Sequence, residues 1–367
     1  MSRASLRHLL GLTASAALVS LAPACSSTGG SSGSSTTDAN CATKLAKAAN
    51  TEFCDADPAA TNCKLATAAY VNQVCGVPLK DPAGDLVRSA GLDEYAGTGP
   101  VDVACYSQAG WPKAAGTSQK AKLKGTAKIF SSGCESHDLK VEVYTVKRTG
   151  GTDDGMPDQL VGSPVTTAKE CKSAGVASDD PDKCGTRYEC TYEYADVPSE
   201  TELLIKTYGD TWKPLYEYDV YVPNDRLKDG AFEKNVRALA QDDYQVIPQA
   251  AIGGPITTGH GAIAGEIHDC GDVRVSNAVV DIDVAKAQTV YFTDNEDHPL
   301  PDPQGHPKGT STLGLYAALD VKPGPVTVAA AGKVGGKLVT LGFFHVQVFA
   351  DAVTSVTFRG MRPFQVP

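Results

Sequence analysis

The sequence predicts a mainly β protein: two tandem immunoglobulin-like β-sandwiches preceded by a small disulfide-tied α-helical hairpin. Three observations carry this. Apolar and polar residues alternate with period two through the C-terminal two thirds of the chain. Landmarks within that alternation occur twice in the same order. The N-terminal part is different in kind, with an apolar leader, a Ser/Gly run and closely spaced cysteines.

The chain has 367 residues, 42% of them hydrophobic, and a formal net charge of −10. At roughly 100–200 residues per domain this allows two or three domains with ordinary cores. The acidic balance argues against nucleic acid as a partner, since phosphate binding needs a basic face. After the N-terminus no stretch approaches the roughly 20 apolar residues of a membrane span.

Residues 1–24 read as a secretory signal, with Arg3 and Arg7 ahead of an apolar stretch from Leu9 to Leu21. The end of that stretch, Leu21-Ala22-Pro23-Ala24-Cys25, resembles a bacterial lipoprotein signal. The resemblance implies that Cys25 is lipidated and becomes the new N-terminus; ordinary cleavage near Ala24 is the alternative. Residues 25–38 continue as a Ser/Gly/Thr tether without core-forming side chains, suited to hold a folded body off a surface. In the resemblance, Ser26 fits the outer membrane, on either its periplasmic or its surface face.

The sequence holds 11 cysteines. Setting Cys25 aside leaves an even number, which in an exported chain suggests disulfides. No pair has the C-x-x-C spacing of a redox or zinc site. Residues 39–80 carry two Ala-rich helical stretches separated by Asp55-Ala56-Asp57-Pro58. Hairpin geometry would pair Cys41 with Cys75 at the open end and Cys54 with Cys63 at the turn. Residues 81–119 form a connecting segment. Two further bridges are expected among Cys134, Cys171, Cys184 and Cys190. Cys105 would then join Cys270 and clamp the connecting segment to the second sandwich.

The first sandwich is expected over 120–248 and the second over 260–367, with 249–259 as linker. Leu139, Val141 and Val143 alternate with polar neighbours, as do Ala278, Val280 and Ile282. Tyr188, Cys190, Tyr192 and Tyr194 share one face of another strand, and Tyr216, Tyr218, Val220 and Val222 one face of a fourth. The repeat aligns Gly125 to Ile129 with Gly265 to Asp269, and Tyr194-Ala195-Asp196-Val197 with Tyr316-Ala317 and Asp320-Val321. It also aligns Phe232 to Val236 with Phe349 to Val353. That last match favours strand over helix at 232–240, with a helical turn near Asp242–Ile247.

Residues 261–285, GAIAGEIHDCGDVRVSNAVVDIDVA, and 310–331, TSTLGLYAALDVKPGPVTVAAA, resemble a carboxypeptidase regulatory-like domain. The family implies a prealbumin-like β-sandwich and no catalysis, because the domain is an accessory to the enzyme that gives it its name.

The chemistry-bearing candidates are few. The acidic loops Thr152-Asp153-Asp154-Gly155-Met156-Pro157-Asp158 and Thr293-Asp294-Asn295-Glu296-Asp297-His298 could offer oxygens to calcium, but neither supplies the 6–8 that calcium takes. His298 and His306 bracket a Pro-rich loop without a ligand spacing, and His345 reads as a packing residue on a strand. No nucleophile elbow, zinc-protease motif or phosphate loop occurs. Trp111, Trp212, Tyr208 and Tyr221 are the aromatics that could stack on a sugar. The expectation is a non-enzymatic cell-envelope lipoprotein that needs no metal or cofactor. It would be held to the membrane by its lipid and act as an interaction or structural module toward an envelope protein. The alternative is a carbohydrate-binding module at the cell surface, with a polysaccharide as partner.

Overall fold

A computed structural model describes residues 77–90, 95–106, 117–130, 135–148, 153–173, 188–295 and 299–360. The expected signal, tether and most of the helical hairpin lie outside them, with Cys25, Cys41, Cys54, Cys63, Cys75, Cys134, Cys184 and Trp111.

In chain order the first strands are β1 (Val87–Arg88), β2 (Lys120–Ile129), β3 (Lys140–Val146), β4 (Pro157–Thr166), β5 (Cys171–Ser173) and β6 (Tyr188–Pro198). They are followed by β7 (Leu203–Tyr208), β8 (Trp212–Lys213), β9 (Leu215–Val220), β10 (Ala231–Glu233) and β11 (Val236–Ala240). Helix α1 (Gln241–Ile252) comes next. The rest are β12 (Gly261–Glu266), β13 (Val275–Ser276), β14 (Val279–Ile282), β15 (Gln288–Tyr291), β16 (Leu315–Val321), β17 (Gly324–Val334), β18 (Lys337–Val348) and β19 (Val353–Ser355).

The protein is mainly β, built from several open sheets. A six-stranded sheet has the order β5-β6-β2-β11-β8, with β10 also beside β2. A three-stranded sheet, β14-β17-β18, belongs to the second half, and β1 pairs with β13. The eight-stranded sheet β15-β16-β12-β19-β9-β7-β3-β4 runs through both halves. Its joint is the parallel pairing of β19 with β9, where Thr354 lies opposite Tyr216.

Alternation explains the packing. Leu123, Tyr194 and Val236 of the six-stranded sheet meet Val141, Leu203 and Ile205 in one apolar core. Ile263 and Tyr316 meet Ile282, Val328 and Phe344 in another. Each such side chain contributes roughly 1.5–3 kcal/mol by leaving water. The second core also takes Leu86, Val103 and Tyr106 from the expected connecting segment. That segment packs on the second half although it precedes the first half in sequence. Its short stretches carry no periodicity that would reveal their place.

The halves share their pairing. Gly125 lies opposite Tyr192 and Gly265 opposite Tyr316. The Tyr192 and Tyr316 hydroxyls donate at 2.7 Å to the carbonyls of Lys234 and Val356, each just past the end of the next strand over, β10 and β19. Each pair of strands carries a bulge, between Ala121 and Leu123 and between Gly261 and Ile263. Asp196 and Asp320 occupy those bulges with positive φ, 61° and 59°. Asp tolerates this conformation better than most residues. Thr167 Oγ1 donates to Ser136 O and accepts from Leu139 N, and Thr310 Oγ1 does the same between Val275 O and Ala278 N.

This register corrects two of the sequence alignments. The counterpart of Tyr316 is Tyr192, while Tyr194 matches Ala318 across the bulge. Phe232 pairs with Leu123 as Thr354 pairs with Ile263, so Phe232 matches Thr354 and not Phe349. Apolar alternation repeats every two residues and does not by itself fix register.

The strand expected at 232–240 is present but broken into β10 and β11. The helical turn expected after it is a full helix, so the expected linker 249–259 begins inside α1. Asp242 and Asp243 favour its N-terminus. Tyr244, Ile247 and Ala251 recur at helical spacing and pack against Leu215 and Leu315 of the eight-stranded sheet, Leu239 of β11 and Phe292. Among the described residues no helix is long and apolar enough to cross a membrane.

Candidate functional site

The break between β10 and β11 sets up the site. Asn235 Oδ1 accepts from the Thr126 amide at 3.1 Å and so occupies the place of a ladder bond. The Lys234 side chain then reaches β9, where its ammonium pairs with Glu217. On β9, Tyr218 and Val220 turn into the cores and Glu217 faces the other way.

Arg237 on β11 reaches across to β12, donating from Nη2 to Glu266 Oε1 at 2.9 Å. The other Glu266 oxygen lies 2.8 Å from His268 Nε2 and accepts from Arg274 Nε at 3.3 Å. His268 is fully buried, and its Nδ1 lies 2.8 Å from Asp272 Oδ1. Tyr95 meets the His268 ring edge-on at 4.9 Å. The guanidinium groups of Arg274 and Arg359 lie 5.3 and 4.8 Å from the centre of the Tyr95 ring.

Glu266 and Lys234 both have lowered proton affinities. Burial alone would raise the Glu266 carboxyl, but Arg237, His268 and Arg274 outweigh it and hold the group well below the usual carboxylate range. Burial lowers the Lys234 ammonium, and the neighbouring Glu217 only partly opposes this.

These side chains line two adjoining spaces. One is a cavity of about 100 Å³ under α1, walled by Phe130, Leu215, Leu239, Phe292 and Ile247 and ending at Glu217, Lys234 and Arg359. The other is a groove of about 340 Å³ that shares this charged end and continues past Tyr221, Arg226, Phe232 and Glu233. Glu217 Oε2 and Arg359 Nε are buried without a hydrogen-bond partner, and both residues line both spaces.

The structure also places the residues singled out from sequence. Cys105 is bonded to Cys270, and Cys171 to Cys190. Asp153 pairs with Lys147, and Asp154 Oδ2 lies 3.5 Å from Arg148 Nη1. Arg148 also pairs with Glu202 and donates to His345 O at 2.9 Å, so this loop is an ion-paired clamp over β18. Asp294 Oδ1 accepts from the Thr312 amide at 2.8 Å, and Asp294 Oδ2 faces His306 Nε2 at 3.4 Å. His345 Nδ1 lies 3.1 Å from Thr327 Oγ1. Among the described residues no group of three or more His, Cys, Asp and Glu side chains is placed to hold a metal.

Two of the sugar-stacking candidates are otherwise engaged. Trp212 is buried and its indole N–H donates to His137 O at 3.0 Å. Tyr208 donates to Glu142 at 2.7 Å beneath the Lys206 ammonium. Tyr221 borders the groove while its hydroxyl donates to Glu200.

Sequence reasoning missed the cleft residues. Part of their signal was present: Arg237 interrupts the apolar stretch VRALA, and Glu266 and His268 interrupt GAIAGEIHD. Charges at positions that a strand turns inward need partners.

No protein-family model matches the chain, and no curated protein sequence matches it. Among solved structures, the Bacillus anthracis TIE protein is similar over 65% of this chain and 33% of its own, at 8% identity and a TM-score of 0.17. A Streptococcal ancillary pilin is similar over 65% of this chain and 61% of its own, at 10% identity and a TM-score of 0.18. The chain thus spans less than two thirds of either structure. Likenesses this loose carry no argument about function.

Proposed function

We propose that this chain is a non-enzymatic cell-envelope lipoprotein, anchored through Cys25 and the tether that follows it, which serves as an interaction and structural module. Its body would be two tandem prealbumin-like β-sandwiches of the carboxypeptidase regulatory-like kind. The observation that supports a structural role is the parallel pairing of β19 with β9, which joins both halves in one sheet. Such a body holds surfaces at fixed separation, as a display module must. A non-catalytic reading also fits the cleft, where Glu217 and Glu266 each face a cation.

The anchoring part is tested by intact mass and detergent partitioning of the native protein. The expected species begins at Cys25, carries acyl chains and enters the detergent phase, and Cys25→Ala removes all three properties. A soluble, unacylated native protein overturns it.

A second reading, a carbohydrate-binding module, is favoured by the groove between the halves, where Tyr221 and Phe232 stand beside Asp219, Glu233 and Arg226. Affinity electrophoresis through polysaccharide-containing gels tests it. Retardation that Tyr221→Ala abolishes supports this reading, and unaltered mobility in every polysaccharide excludes it.

A further inference from the structure

We infer that the cavity under α1 is a binding site for a small zwitterion with an apolar side chain, of the class of a free hydrophobic α-amino acid. The inference is independent of whether the chain is anchored at an envelope.

The cavity has two chemically distinct ends. Its body is lined by Phe130, Leu215, Leu239 and Phe292, and α1 roofs it with Ile247 and Pro248. About 100 Å³ is room for a compact apolar side chain.

The other end is polar and incompletely satisfied. Glu217 spends one oxygen on Lys234, and its second oxygen, Oε2, is buried without a donor. Arg359 presents a buried Nε without an acceptor, its nearest acidic oxygen being Asp272 Oδ1 at 3.6 Å. A buried acceptor and a buried donor that lack hydrogen-bond partners are each unfavourable. A ligand headgroup that donates to Glu217 and accepts from Arg359 removes both costs at once. An α-ammonium beside an α-carboxylate is such a headgroup, and it is neutral overall, so it adds no net charge to a buried site. A purely cationic amphiphile would satisfy only Glu217 and face Lys234 and Arg359, while a purely anionic one would satisfy only Arg359 and leave Glu217 Oε2 without a donor.

The test is isothermal titration of the full chain with three probes that share a phenyl body. L-phenylalanine carries both charges, phenethylamine only the ammonium, and 3-phenylpropanoate only the carboxylate. L-phenylalanine is expected to bind, and each truncated probe to bind at least about tenfold more weakly. Glu217→Gln, verified as folded by circular dichroism, is expected to narrow the gap between L-phenylalanine and 3-phenylpropanoate. Ala317→Leu narrows the apolar body and should weaken all three probes. No binding of L-phenylalanine overturns the inference, as does equal binding of the three probes. Binding of D-glucose in place of L-phenylalanine also overturns it.

Discussion

The two halves of the molecule use the same backbone devices with different side chains around them. In both, a glycine lies under a tyrosine whose hydroxyl bonds the strand beyond. In both, an aspartate at positive φ fills a bulge, and a threonine ties two turns together. Yet where the second half has Val356, buried in its core, the first half has Lys234, which reaches out to Glu217. Where the second half has Glu266, the first has Thr126, bonded to Glu189 and Asn235. The difference teaches that the shared devices carry the fold, while the non-shared positions built the cleft.

The strongest way to break this comparison is at the glycines. A Cβ on Gly265 would collide with the carbonyl oxygen of Val356, and one on Gly125 with the carbonyl oxygen of Lys234. Both obstacles are backbone, so the strands themselves would have to part. Gly265→Ala and Gly125→Ala should each cost about 3 kcal/mol or more in urea denaturation. Gly265 should cost more, because the fully buried Tyr316 presses on it from the other side. A neutral result at either site would show that the device is not shared.

The threonines rank next. Thr167→Val and Thr310→Val keep the shape of the side chain but leave the Leu139 and Ala278 amides without their acceptor. Each should cost about 2 kcal/mol, since a buried amide without a partner bears its full desolvation penalty. Equal losses would support the equivalence of the two turns. A loss confined to Thr310 would show that the first half has drifted from the second.

The tyrosine hydroxyls are worth less. Tyr316→Phe and Tyr192→Phe each remove one hydrogen bond and keep the ring over the glycine. About 1 kcal/mol each is expected from thermal melts, with Tyr192 the smaller because its bond is only partly buried.

Which of these features could be read from the sequence follows from their range. Gly125 and Gly265 stood out because they open matching segments of the repeat. Asp196 and Asp320 stood out because they fall at matching places after tyrosines. The alternation at 139–143, 190–194 and 218–222 reported which faces turn inward, while Tyr188 of the same series is exposed. What stayed hidden involves partners far apart in sequence. Parallel pairing of β19 with β9 leaves no local signature, and neither does the packing of Leu86 and Tyr106 on the second half. The Glu266 network draws Arg237 from β11 and His268 and Arg274 from the turn that follows β12, and only their charge beside apolar residues pointed to it.

The smallest effect at neutral pH concerns that network and sharpens the comparison best. The Glu266 carboxyl lies well below its ordinary range in the folded protein, because Arg237, His268 and Arg274 outweigh the cost of its burial. In the unfolded chain it returns to about 4.3. A group whose folded value is depressed adds stability above its unfolded value and loses that stability as pH falls through the folded one. At pH 7 the contribution is therefore complete and acidification by a unit or two changes nothing. Below about pH 4 it begins to vanish. The matching position in the first half is Thr126, which does not titrate. Hydrogen-exchange protection factors followed from pH 7 to pH 3 should consequently diverge. Amides of 266–268 and 274–275 should lose protection while those of 124–128 hold theirs. Parallel loss in both halves would mean that acid acts on the joined sheet as a whole, and that the two halves, though differently charged, open as one unit.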